Sequence, residues 1–141
     1  MAGRMTWGRC LEQGIVTRTK KDPERASRML KMATLRMRFW DGPIKGEFAA
    51  LKVEAYYDII KELIFAHLYQ SGYNCSNHLC LISYLRETFH HFDEEASRID
   101  SLRKMRNDIS YKGLIVSSGY LELNEPEFRH IITELKQRLK S

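Results

Sequence analysis

The chain has 141 residues, with 23 Lys and Arg against 18 Asp and Glu, for a formal net charge of +5. That length sets one domain around a single core as the starting expectation. Only three prolines and eight glycines, set among many Leu, Met, Arg, Lys and Glu, exclude a fibrous or low-complexity chain and favour helices.

The longest apolar stretch, residues 48–69, contains Lys52, Glu54, Asp58, Lys61 and Glu62, which is too many charges for a membrane span. Residues 1–20 hold no continuous apolar run, so no signal peptide is expected. Three cysteines are an odd number and do not suggest a disulfide framework, which points to a reduced, cytoplasmic protein. The charge is uneven. Residues 1–40 hold ten basic and three acidic side chains, residues 41–97 four and nine, and residues 98–112 five and two. Two basic segments around an acidic one suit a polyanion or a charge-complementary protein surface, or simply a solvated mixed surface.

In chain order, residues 1–21 are the least defined, with Trp7, Leu11, Ile15 and Val16 able to line a short helix interrupted at Gly14. Asp22-Pro23-Glu24 reads as a helix start, with Asp as N-cap and Pro at N1. Ala26, Leu30, Ala33, Met37 and Trp40 then recur at helical spacing until Asp41-Gly42-Pro43. A long helix is expected over 46–71, striped by Val53, Tyr56, Ile60, Leu63 and His67, and central to the fold. Gly72-Tyr73-Asn74 forms a turn, and a third helix is expected over 76–91. Asp93 caps a fourth, whose apolar face carries Ile99, Leu102, Met105 and Ile109 and which stops at Gly113. Residues 114–123 lack helical period and read as an extended connector. Asn124-Glu125-Pro126-Glu127 reads as the start of a last helix, with Phe128, Ile131, Ile132, Leu135 and Leu139 facing inward. The expected fold is all-α: an up-and-down bundle of four main helices plus a C-terminal helix, spanning 1–141 as one domain.

The fourth helix also carries the best candidate site. Arg106 sits at the edge of the apolar face, and its planar, permanently charged fork suits phosphate or carboxylate. Arg103 and Ser110 border it and are expected to extend an anion site. Arg106-Asn107, three residues, then Tyr111 resembles the signature of the HEPN family (higher eukaryotes and prokaryotes nucleotide-binding), which is Arg, a polar residue, a short spacer and His. Tyr111 stands where that motif has His. The resemblance implies a HEPN-like helical bundle and a homodimer in which the two motifs meet. It also implies association with RNA or a nucleotide, as a toxin–antitoxin or defence component paired with a small nucleotidyltransferase. Arg106, Asn107 and Tyr111 would be the catalytic set of a metal-independent endoribonuclease where the motif is active, with nucleic acid held by Arg103, Arg106, Ser110 and Lys112. Residues five apart lie about 140° around a helix, so Arg106 and Tyr111 are expected to cooperate only across a bend or a dimer interface. Tyr titrates near pH 10 and His near 6.5, so Tyr is the poorer base but can stack or hydrogen-bond. Tyr111→His is therefore expected to raise cleavage.

Two other clusters invite a metal reading: His90-His91 with Asp93, Glu94 and Glu95, and Cys75, His78 and Cys80. Adjacent histidines point apart on a helix, and the second set lacks a fourth ligand nearby, so neither metal nor cofactor is expected. The reading from a different class is a non-catalytic helical adaptor that binds other proteins.

Overall fold

The computed structural model describes residues 5–139. Among them are six α-helices and one two-stranded ladder, making an all-α helical bundle. The order is α1 (Trp7–Glu12), β1 (Val16–Arg18), α2 (Pro23–Phe39), a 3₁₀ turn (Gly46–Phe48), α3 (Ala49–Ser71), β2 (Tyr73–Cys75), α4 (His78–Thr88), α5 (Asp93–Lys112) and α6 (Ser118–Leu139). No helix among the described residues is long and apolar enough to cross a membrane.

The bundle is organised on α3, against which α2, α5 and α6 pack, while α4 packs on α5. Tyr56, Ile59, Ile60, Leu63 and Leu68 of α3 are fully buried, as are Leu85, Ile99, Leu102, Ile131 and Leu135 from the helices around it. Such a wide apolar band places α3 inside the core rather than on its surface. The ends follow the local rules. The Asp22 carboxylate accepts from Arg25 N at 3.0 Å to cap α2. Gly72 and Gly113 terminate α3 and α5 in the left-handed region, with φ of 85° and 68°. At Gly72 space as well as φ demands glycine, since an added Cβ would lie 2.8 Å from Thr19 O.

Several expectations need correction. The third helix is shorter than 76–91 at both ends: the Asn77 side chain caps it, and it stops at Phe89, which turns extended (φ −103°, ψ 125°). There the Phe89 ring packs at 5.3 Å from Phe92 and 4.9 Å from His67, so burial of the ring ends the helix. Asp93 is not the cap of α5 but its first residue. The connector spans only 113–117 rather than 114–123. Ser117 Oγ accepts from Tyr120 N at 3.2 Å and starts α6 six residues ahead of Asn124. Asn124 and Pro126 consequently lie inside α6. The helix continues because Leu121, one side of the proline, shares a buried stripe with Phe128 and Ile131 on the other.

Residues 16–18, read as part of a possible helix, form a strand. Val16, Thr17 and Arg18 pair antiparallel with Cys75, Asn74 and Tyr73. The expectation of free thiols is also overturned: Cys10 and Cys80 are disulfide-bonded across a sequence separation of 70, and only Cys75 is free. With one disulfide and one free thiol, the cysteines do not point to a reduced compartment.

Candidate functional site

The candidate residues of α5 open onto a cleft of about 440 Å³ bounded by α3, α5 and the start of α4. Arg103, Arg106, Asn107 and Tyr111 line it from α5. Tyr57, Lys61 and Phe65 face them from α3, and Ser76, His78 and Leu81 close the third side. Helix α5 runs unbroken to Lys112. Arg106 and Tyr111 thus line one cleft within one chain, from different faces of an unbroken helix. The cleft is wider than a single helix face, and both side chains are long enough to border it.

Each basic group is held differently. Arg103 Nε is 3.0 Å from Asp100 Oδ1 on its own helix. Arg106 reaches across to α3, with Nη2 3.5 Å from Asp58 Oδ1 and its guanidinium carbon 6.0 Å from the centre of the Tyr57 ring. Its Nε is buried with no hydrogen-bond partner, a donor that a further acceptor would satisfy. Lys61 makes no ion pair among the described residues. With two of the three cations partly compensated, the cleft keeps a positive balance beside three aromatic rings. Tyr111 is 77% exposed, so its ring is available at the rim.

Ser110 and Lys112 do not line this cleft. Ser110 donates to Glu54 Oε2 at 2.5 Å, and Lys112 Nζ lies 3.4 Å from Asp108 one turn back. Sequence reasoning missed Tyr57, Lys61, Phe65 and the role of His78, because each comes from another helix and follows no motif spacing. The only available signal was that Tyr57, Lys61 and Phe65 recur every four residues along α3.

His78 sits at the first position of α4. The preceding Asn77 Oδ1 accepts from Leu79 N at 2.9 Å and Cys80 N at 3.2 Å. Burial pushes the imidazole below its usual range, and the Arg103 guanidinium pushes it the same way against the opposing charge of Asp100. Burial likewise raises the Tyr57 phenol, against the lowering charges of Arg103 and Arg106.

The two metal clusters considered from sequence are rearranged. Cys80 is in the disulfide, and the Cys75 thiol donates to Asn77 O at 3.4 Å. Glu94 pairs with Arg98 at 2.8 Å. Glu95 instead joins Glu127 and His130, whose ligand atoms lie within 4.8 Å of one another. Arg98 Nε stands 3.4 Å from Glu127 and competes for that carboxylate. The remaining large polar group, Lys52, is buried against Gly42 O and Glu125 and serves the packing of α3 on α6.

Comparison with protein-family models, with curated proteins and with solved structures finds no match to this chain.

Proposed function

We propose that the cleft between α3, α4 and α5 binds single-stranded RNA or a nucleotide, in a HEPN-like protein. The observation that carries this reading is the company of Lys61, Arg103 and Arg106 with the rings of Tyr57, Phe65 and Tyr111 in one cleft. Cations hold phosphates, and flat rings stack on bases without demanding sequence. The buried, unpaired Nε of Arg106 adds a directed donor. From the sequence resemblance come the further proposals of a homodimer and a nucleotidyltransferase partner in a toxin–antitoxin or defence pair.

The test is fluorescence anisotropy with a labelled mixed-sequence RNA at low salt, about 20–30 mM. Binding should fall steeply as salt rises. Arg106→Ala and Lys61→Ala should each weaken it by roughly tenfold, in line with charge-assisted contacts of about 1.5–3 kcal/mol. Absence of binding at low salt would refute the reading.

A protein–protein adaptor is the second reading, and it rests on exposed apolar side chains. Phe39, Ile115 and Leu123 are 73%, 84% and 82% exposed. If RNA fails to bind at low salt, the adaptor reading takes its place.

A further inference from the structure

We propose that Glu95 of α5 and Glu127 and His130 of α6 hold one divalent transition-metal ion, of the class of Zn²⁺ or Co²⁺, and so join the start of α5 to α6. These residues share nothing with the cleft of α3, α4 and α5, and the site does not depend on RNA binding there.

The two helices bring the three groups together. Glu127 and His130 stand three residues apart, which puts both on one face of α6. Buried Phe128 and Ile131 fix the rotation that turns this face toward α5. Glu95 lies one turn before Ile99 and two before Leu102, on the stripe of α5 that enters the core. A carboxylate is an odd occupant of such a stripe, and this side chain is only 18% exposed. Its place in the first turn suits its charge. Its Oε2 is nonetheless shut from solvent with no hydrogen-bond partner, an acceptor left for something else to satisfy.

The ligand atoms of the three residues lie within 4.8 Å of one another, with His130 Nε2 3.9 Å from Glu95 Oε1. Donors that each sit about 2.0–2.2 Å from an ion stand roughly 3–3.5 Å apart, so the set closes by about one ångström on binding. His130 is half-exposed and has the freedom to swing inward.

Donor chemistry narrows the ion. Mg²⁺ and Ca²⁺ take oxygen, whereas an imidazole suits Zn²⁺ and its neighbours, and the set contains no thiolate. Two carboxylates balance the charge of one ion, and water completes a tetrahedron around three protein ligands. A Glu from one helix facing a Glu-x-x-His from another is how helical bundles build carboxylate metal centres; one such set holds one ion. Arg98 is the competitor. Its Nε is 3.4 Å from Glu127 and its Nη2 is 2.8 Å from Glu94. Ion binding takes Glu127 from Arg98, which keeps Glu94, and one bridge between α5 and α6 is exchanged for another.

In the experiment the full chain is stripped with EDTA, desalted and titrated by calorimetry with Zn²⁺, Mg²⁺ and Ca²⁺. Co²⁺ is followed by visible absorption, all in mildly alkaline buffer so that imidazole can coordinate. One Zn²⁺ per chain should bind, with Mg²⁺ and Ca²⁺ weaker by about 100-fold or more. The Co²⁺ spectrum should carry no thiolate charge-transfer band. His130→Ala and Glu95→Gln should each lose more than the roughly 10–100-fold that goes with removing a group that merely supports a ligand. Replacing both His90 and His91 by Ala should leave the affinity as in wild type. Arg98→Gln keeps all three ligands and should bind Zn²⁺ several-fold more tightly, which gives a test independent of any variant that lacks a ligand. Circular dichroism checks that each variant folds. Absence of Zn²⁺ binding up to about 1 mM overturns the proposal. So does an affinity that His130→Ala leaves unchanged or that Arg98→Gln fails to raise. Mg²⁺ binding as tight as Zn²⁺ would reduce the site to its carboxylates, and a thiolate band lost in Cys75→Ser would place the ion elsewhere; either result refutes the assignment.

Discussion

Lys52 and Glu125 meet inside the bundle, with Nζ 2.9 Å from Oε2 and only 3% of the lysine side chain exposed. The same carboxylate accepts from Tyr56 at 2.6 Å, and Lys52 also donates to Gly42 O at 3.0 Å. One acidic side chain of α6 therefore holds a cation and a phenol of α3. Removing the acid leaves a buried, uncompensated ammonium, which typically costs about 3–5 kcal/mol. Removing the lysine leaves a carboxylate that keeps Tyr56 and Arg129 and is 24% exposed. Glu125→Ala is thus expected to destabilise more than Lys52→Met. Urea unfolding of the two variants measures the difference, and the reverse order would refute this account.

Glu125 and His67 are among the groups that make stability depend on pH, beside His78 and Asp100. Burial alone would raise the Glu125 carboxyl, but Tyr56, Lys52 and Arg129 outweigh it and hold the group below its usual value of 4.5. The unfolded chain then takes up the proton first, so this stabilisation is present above about pH 4.5 and lost as pH falls through the folded value. His67 is depressed by burial and further by Arg138, against the Leu135 carbonyl that accepts a hydrogen bond from its Nε2. Its contribution is complete above its ordinary 6.5 and is lost on acidification below that point. Thermal melts should show two falls, one beginning near neutrality and one in acid. His67→Gln should reduce the first and Glu125→Gln the second.

The disulfide predicts a thiol count. Alkylation of the unfolded, unreduced protein should label Cys75 alone, and prior reduction should expose all three cysteines. Mass spectrometry reads the result directly. Closing a loop of this size stabilises a fold by about 4 kcal/mol in the chain-entropy picture, so Cys10→Ser should lower the melting temperature markedly. Labelling of all three thiols without reductant would contradict the pairing.

Pro126 lies exposed within α6 and offers no N–H to the turn before it. Pro126→Ala restores that donor and removes a ring clash, without touching the buried Leu121 or Phe128. It should stabilise the protein by about 1 kcal/mol or more, given a helix-interior penalty near 3 for proline. A lower melting temperature would mean that the proline sets a bend on which the packing depends.

That proline also shows where sequence reading stops. Asp22-Pro23 and Asn124-Glu125-Pro126 carry the same start signal, yet the first begins a helix and the second lies within one. Local chemistry was decisive at Asp22 because nothing apolar precedes it on the helical stripe. At Asn124 the burial of Leu121 overrides it. Gly72 and Gly113 were legible because a left-handed residue is a local requirement. The ladder of residues 16–18 with 73–75 and the Cys10–Cys80 bond were not, since both join segments far apart in sequence. The site divides the same way. Arg103, Arg106, Asn107 and Tyr111 could be chosen from one helix, whereas Lys61, Tyr57 and His78 join them only through packing.

The attachment of the N-terminal segment has a consequence in time. Cys10, Val16, Thr19 and Asp22 find their partners at Cys80, Cys75, Gly72 and Tyr69. These residues are synthesised before any of those partners exists. At roughly 5–20 residues per second, Cys10 waits on the order of several seconds for Cys80 to be added. Synthesis and assembly therefore run in opposite order here: the earlier-made segment is fastened only after α3 and the opening of α4 have been translated, and the start of α2 is anchored along with it.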